Sequence, residues 1–146
     1  MKLATMPSKL MTLRILVADD HAVVRRGLRS LLGAHPGWEV IDEASDGAEA
    51  VDKSSQLIPD IVVLDISMPK MSGLEACRQI RRNNPQSEVL IVTQHDSKQM
   101  MREAGDAGAR GYVIKSNIAR DLVKAVQATS EHKPFGWKTD PLNHSN

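Results

Sequence analysis

Five short apolar runs recur along the chain, and stretches with helical spacing separate them. The first, Leu13–Ala18 (LRILVA), is aliphatic and β-branched and stops at Asp19-Asp20, as a buried strand does. Val24, Leu28, Leu31 and Leu32 then fall on one helical face, with Arg25, Arg26 and Arg29 on the other. That helix is predicted to stop near Gly33, and Pro36-Gly37 marks a turn. Residues 39–44 (EVIDEA) alternate, which predicts a second strand nearer an edge, and Asp46-Gly47 opens a second helix running to Gln56. Ile61–Leu64 (IVVL) is apolar throughout and ends at Asp65, the pattern of a central strand buried on both faces. The run 68–73 (MPKMSG) reads as a loop, and Leu74, Cys77 and Ile80 recur at helical spacing until Asn83-Asn84-Pro85. Residues 89–92 (VLIV) form a fourth strand ending at Thr93, followed by a weaker helix over 97–107. Gly111–Ile114 is the fifth strand, and Ile118, Leu122, Ala125, Val126 and Thr129 mark the last helix.

Five strands alternating with five helices through short connections require parallel strands and right-handed crossovers. The predicted fold is a doubly wound α/β domain over 13–130, with an N-terminal extension over 1–12 and a loosely ordered tail over 131–146. In such a sheet the carboxyl ends of the strands share one edge, and ligands bind there. Asp19, Asp20, Asp65, Thr93, Tyr112 and Lys115 all lie at or near those ends, so residues far apart in sequence are expected to meet.

Composition narrows the class. With 146 residues, 41% of them apolar, the chain suits one aliphatic core, since aromatics are only 3%. The formal charge of +1 supplies no field to hold a nucleic acid or an anionic membrane. The single cysteine, Cys77, excludes an internal disulfide and fits a reducing compartment. No run approaches the ~20 apolar residues of a membrane span, and the first residues lack a signal-peptide core. The expectation is a cytoplasmic protein with no membrane partner.

Asp19, Asp20 and Asp65 would crowd three negative charges into one spot. A hard divalent cation and the ammonium of Lys115 are the two partners that can relieve the repulsion. Mg²⁺ takes oxygen ligands and keeps several waters. Asp20, Asp65 and Asp19, with the backbone carbonyl of Ser67, are the expected protein ligands, and Mn²⁺ is an admissible substitute. Asp65 is then a candidate nucleophile for a phosphoryl group, giving an aspartyl phosphate, with Thr93 and Lys115 binding phosphoryl oxygens.

The segments ILVADDHAVVRRGLRSLL, DIVVLDISMPKMSGLEA, VLIVTQHD and ARGYVIKS together resemble the receiver domain of two-component response regulators. The likeness runs over roughly four-fifths of the chain. The Asp-Asp-His opening and the Gly-Tyr-Val-Ile-Lys run are similar to the NarL/FixJ-type subfamily. The resemblance implies a flavodoxin-like five-stranded sheet in the order 2-1-3-4-5. It implies Asp65 as the phosphorylation site, Asp19 and Asp20 as the acidic pair for Mg²⁺ (Asp20 the more direct ligand), Lys115 as the phosphate-sensing lysine, and Thr93 and Tyr112 as a switch pair. The expected partner is a sensor histidine kinase. On phosphorylation Thr93 would be drawn inward and Tyr112 would follow, remodelling the output face; a homodimer is compatible with that step. The chain would be no enzyme beyond its own phosphorylation and dephosphorylation. In a full-length regulator the output would be transcription, but DNA binding by this chain itself is not expected, because the sixteen residues after 130 are too few for a helix-turn-helix domain.

Simpler roles compete for each residue. Asp20 could cap the first helix, Lys115 could be a solvated surface lysine and Thr93 a mere strand terminus. Asp65, however, follows a wholly apolar strand, a costly place for an unpaired charge. Cys77, Met100 and Met101 are expected to pack, Arg25, Arg26 and Arg29 to be a solvated helix face, and His21 and His95 to shape access to the pocket. Gln94 stands where the family often has a small residue. A haloacid-dehalogenase-like phosphatase would want a second aspartate two positions after the nucleophile, where Ser67 stands. A flavodoxin-like cofactor binder would want a Ser/Thr/Gly-rich phosphate loop where Asp19-Asp20-His21 stands. A pseudo-receiver that signals through protein contacts without phosphorylation is the remaining alternative.

Overall fold

The computed structural model describes residues 12–137. Its order is β1 (Leu13–Ala18), α1 (Ala22–Gly33), β2 (Trp38–Ala44), α2 (Gly47–Leu57), β3 (Ile61–Leu64), α3 (Gly73–Asn83), β4 (Glu88–Thr93), α4 (Lys98–Asp106), β5 (Gly111–Ile114) and α5 (Ile118–Ser130), with a short 3₁₀ turn at Lys115–Asn117. All pairings are parallel and the sheet order is β2-β1-β3-β4-β5. The doubly wound fold and its strand order are therefore as expected from the sequence.

The period-2 alternation of strand residues builds two cores. Leu16 and Ala18 of β1, Val62 and Leu64 of β3 and Val89 and Ile91 of β4 face α2, α3 and α4. Ile15, Val17, Ile61, Val63, Leu90 and Val92 face α1 and α5. β3 and β4 are buried along their whole lengths, which is why their sequences are nearly all apolar. β2 and β5 are the edges.

Three details differ from the sequence expectation. In α1 the inward stripe is Leu28 and Leu32, whereas Leu31 is 41% exposed; one residue turns the helix by about 100°, which takes Leu31 off the stripe. Arg25 and Arg29 are not simply solvated, since both pair with Glu43 on β2, at 3.0 and 2.7 Å. Residues 131–137 are not a loose tail. Phe135 forms a parallel bridge with Gly111, and Trp137 packs against Tyr112. Their apolar bulk finds cover along the free side of β5. Residues 138–146 of the expected tail, and all but Thr12 of the expected N-terminal extension, lie outside the described residues.

Candidate functional site

Parallel pairing sets Ala18 opposite Leu64, so β1 and β3 end side by side. The Asp65 N–H donates to the Ala18 carbonyl at 3.0 Å, joining the two strand ends. Asp19 and Asp65 consequently emerge next to each other, and both are buried, at 1% and 3% exposure. Asp20 stays exposed at the mouth. A ligand atom from each of Asp19, Asp20, His21 and Asp65 lies within 4.8 Å of all the others.

Lys115 closes the cluster. It follows Ile114, the last residue of β5, and its Nζ lies 2.8 Å from Asp19 Oδ2 and 2.9 Å from Asp65 Oδ2. Burial opposes the ammonium charge, but the contacts to Asp19 and Asp65 outweigh it and hold the Lys115 pKa above the ordinary lysine value. One ammonium among three carboxylates leaves net negative charge. Asp19 Oδ2 has that ion-pair partner but no aligned hydrogen-bond donor. A hard-oxygen donor set of this kind, part buried and open through Asp20, fits a divalent cation such as Mg²⁺.

The loop after β1 is built for this display rather than for capping. The N-cap of α1 is His21, with no side-chain cap bond, so Asp20 does not cap the helix. The His21 N–H donates to Asp19 Oδ1 at 2.8 Å. Its ring Nδ1 stands 3.1 Å from Asp20 Oδ1 and 3.4 Å from Asp19 Oδ1. Arg25 donates from Nη1 to the Asp19 carbonyl at 2.7 Å, bracing the acidic turn from α1.

Below Asp65 the chain turns tightly into α3. The Gly73 N–H donates to the Ile66 carbonyl at 2.7 Å, and a Cβ on Gly73 would overlap the Asp65 carbonyl oxygen. Glycine is required there by close backbone approach, not by φ. Ser72 caps α3 by accepting from the Glu75 N–H at 3.3 Å. Ser67, two residues after Asp65, is exposed. Its N–H reaches Asp65 Oδ1 at a long 3.4 Å, and its Oγ lies 2.8 Å from His95 Nε2. His95 thus shapes the mouth by spanning from the β4 loop to the β3 loop.

Thr93 ends β4 fully buried, and its Oγ1 is 3.5 Å from the His95 N–H. Tyr112 is 2% exposed, and its hydroxyl donates to the His95 carbonyl at 2.8 Å. Both members of the expected switch pair therefore meet the His95 backbone. The Tyr112 ring lies inward. Burial, with the nearby carboxylates of Asp96 and Asp65, pushes its pKa up to about 12.

Cys77 packs in the core with its Sγ 3.5 Å from the Ala107 carbonyl, and burial pushes its thiol pKa up to about 12. Met101 is core and Met100 packs beside it. Gln94 is exposed. The structure brings together Asp19, Asp20, Asp65 and Lys115, with Ser67, Thr93 and Tyr112 around them. Gly73, Arg25 and the Ser67–His95 contact were not legible as site features. No local signal distinguishes Gly73 from an ordinary loop glycine, because its constraint is the approach of the Asp65 backbone.

The family profile described as the response regulator receiver domain matches residues 15–127. The nitrate/nitrite response regulator protein NarP of Escherichia coli is 38% identical, over 89% of this chain and 67% of that protein. The response regulator protein VraR of Staphylococcus aureus is 38% identical, over 82% of this chain and 57% of that protein. The chain thus spans between one half and about two thirds of the length of these relatives. A crystal structure of a LuxR-family two-component response regulator from Aurantimonas superposes with a TM-score of 0.83 at 39% identity, covering 86% of this chain and 90% of that one. Among the described residues, no helix is long and apolar enough to cross a membrane. With the strand order, the acidic cluster and these likenesses taken together, the chain belongs to the response regulator receiver domain family, in its NarL/FixJ-type branch.

Proposed function

We propose that this receiver accepts a phosphoryl group on Asp65 from the phosphohistidine of a sensor histidine kinase. The observation that carries this reading is the buried pair Asp19–Asp65 bridged by Lys115 and left open to solvent through Asp20. Asp65 Oδ2 is engaged by Lys115, whereas Oδ1 has only the long contact from the Ser67 N–H and is the oxygen free to attack. A bond forms from Asp65 Oδ1 to phosphorus and the P–N bond of the donor breaks. The donor imidazole leaves with the electron pair and takes up a proton from water. Asp65 enters as a carboxylate, so it has no proton to lose.

Asp20, Asp65, Asp19 and the Ser67 carbonyl would hold Mg²⁺, or Mn²⁺ in its place. When bound, the cation supplies positive charge that neutralises the phosphoryl oxygens. Lys115 pairs with one phosphoryl oxygen and the Thr93 hydroxyl donates to another. Phosphorylation favours the inward Tyr112 position through Thr93 and the His95 backbone. It shifts a population between two states. The chain acts on its own acyl phosphate only, through phosphorylation and hydrolysis, and is not a turnover enzyme. The remodelled face then serves a regulator's output, transcription control in this branch, with homodimerisation as the expected accompaniment. DNA contact belongs to an output domain and not to the receiver, and the reading places the protein in the cytoplasm, where such a kinase presents its phosphohistidine.

The test is intact mass after incubation with acetyl phosphate and Mg²⁺. The wild type is expected to gain one phosphoryl group, and Asp65→Asn or omission of the cation is expected to abolish the gain. A folded, Mg²⁺-binding protein that gains nothing from acetyl phosphate or from a phosphorylated kinase would make it a pseudo-receiver.

A further inference from the structure

Past α5 the chain turns back along the sheet. His132 takes a left-handed conformation (φ 61°), which residues other than glycine adopt at a cost. Its Nδ1 sits 2.6 Å from Oε2 of the buried Glu88 at the start of β4. The next residues run beside β5, one of the two edge strands of the sheet. Gly111 bridges to Phe135 in parallel sense, and the Tyr112 N–H donates to the Phe135 carbonyl at 2.9 Å. Gly136 (φ 82°) passes so close that a Cβ there would overlap the Tyr112 carbonyl oxygen. Trp137 then lies against the Tyr112 ring, with centroids 5.8 Å apart at a 48° tilt, and its indole N–H donates to the Arg110 carbonyl at 3.0 Å. Three consecutive residues therefore grip the backbone and the ring of Tyr112, one of the two residues of the proposed switch pair.

We infer that residues 131–137 form a clamp that holds Tyr112 in its buried position before any phosphoryl group arrives. The inference rests on Tyr112 being the mobile member of the switch. An uncovered edge strand would leave its N–H and C=O groups to water or to another chain, so docking of this segment has its own driving force. If docking and phosphorylation favour the same Tyr112 position, each strengthens the other by the same factor. The clamp thus makes the segment that leads away from the receiver part of the switch: pulling it off the β5 edge weakens the phosphorylated state, and phosphorylation tightens the segment.

Tyr112 is the only tyrosine in the chain, so 3-fluorotyrosine labelling of the full chain gives a single ¹⁹F resonance. The wild type is expected to show a solvent-shielded signal without any phosphoryl donor. Trp137→Ala, which removes the ring, and Gly136→Val, which expels the strand-like segment, are each expected to shift the signal towards the exposed position of the unfolded chain. Beryllofluoride with Mg²⁺ is expected to return it part of the way. Far-UV circular dichroism checks that the fold survives. Should Trp137→Ala unfold, the milder Trp137→Phe, which keeps an apolar ring but loses the bond to Arg110, is expected to give an intermediate shift. A shielded signal unchanged in these folded variants would overturn the clamp. The ¹⁹F shift is read without phosphorylation, so failure of Asp65 to accept a phosphoryl group would leave this result standing.

Discussion

At the residue scale, three carboxylates share one ammonium, so charge balance predicts opposite effects on stability and on activity. Asp65→Asn removes one of the mutually repelling charges while keeping shape. It is expected to stabilise the metal-free protein by on the order of 1 kcal/mol, because the repulsion of two partly desolvated unit charges about 4 Å apart, about 4 kcal/mol at an effective dielectric of about 20, is largely offset by the lost Lys115 contact. Added Mg²⁺ should narrow the difference, because it stabilises the wild type more. Thermal melts with and without Mg²⁺ check this; a mutant that melts lower than the metal-free wild type would show that the Lys115 contact outweighs the repulsion. Lys115→Ala leaves Asp19 and Asp65 buried without their cation and is expected to lower the melting temperature, with partial rescue by Mg²⁺. The acidic residues and Lys115 were legible in the sequence because one topological rule gathers the strand ends. Arg25 was not: its spacing marks only a polar helix face, and its bond to the Asp19 carbonyl depends on how α1 lies over the turn.

Among elements, the turn from β3 into α3 carries the tightest constraint. Gly73→Ala puts a methyl against the backbone of Asp65 and Ile66 and is expected to cost about 1–3 kcal/mol, the usual range for overpacking. It should also slow phosphoryl uptake, because relief of the clash moves Asp65. Urea melts and acetyl phosphate uptake measure the two effects; a stable, fully active Gly73→Ala protein would contradict this account of the turn. Periodicity and turn signals together revealed the five α-helices and five strands, though not the short 3₁₀ turn at Lys115–Asn117. They missed the ordering of 131–137, where two of the chain's four aromatic residues lie within three positions. The contacts that order this segment are made with β5, some 25 residues earlier, and local pattern carries no trace of them.

For the whole molecule, burial of Tyr112 ties the switch to global stability. Its phenol ionises only near pH 12 in the folded state but near pH 10 once exposed. Between those values the unfolded chain binds fewer protons than the folded one, so stability falls as pH rises through that window. The contribution is complete below about pH 10. The buried thiol of Cys77, pushed up to about 12, acts in the same direction from its own lower starting point. Absorbance titration of the single tyrosine should therefore show phenolate appearing late and together with unfolding. A Tyr112 that titrates near pH 10 in a folded protein would mean that the ring is not held inside. The doubly wound architecture followed from alternation and short crossovers, and the strand order from the resemblance to receiver domains. The inward setting of Tyr112 did not, because it is fixed jointly by the His95 carbonyl and by Trp137.

The decisive measurement locates the transferred group. The protein is phosphorylated by a phosphohistidine kinase with Mg²⁺, reduced with borohydride and digested, and the peptides are sequenced by mass spectrometry. Conversion of Asp65, and of no other aspartate, to homoserine is the expected result. Label on Asp19, Asp20, His21 or His95 instead, with Asp65 unmodified, would contradict the assignment of Asp65 as the acceptor.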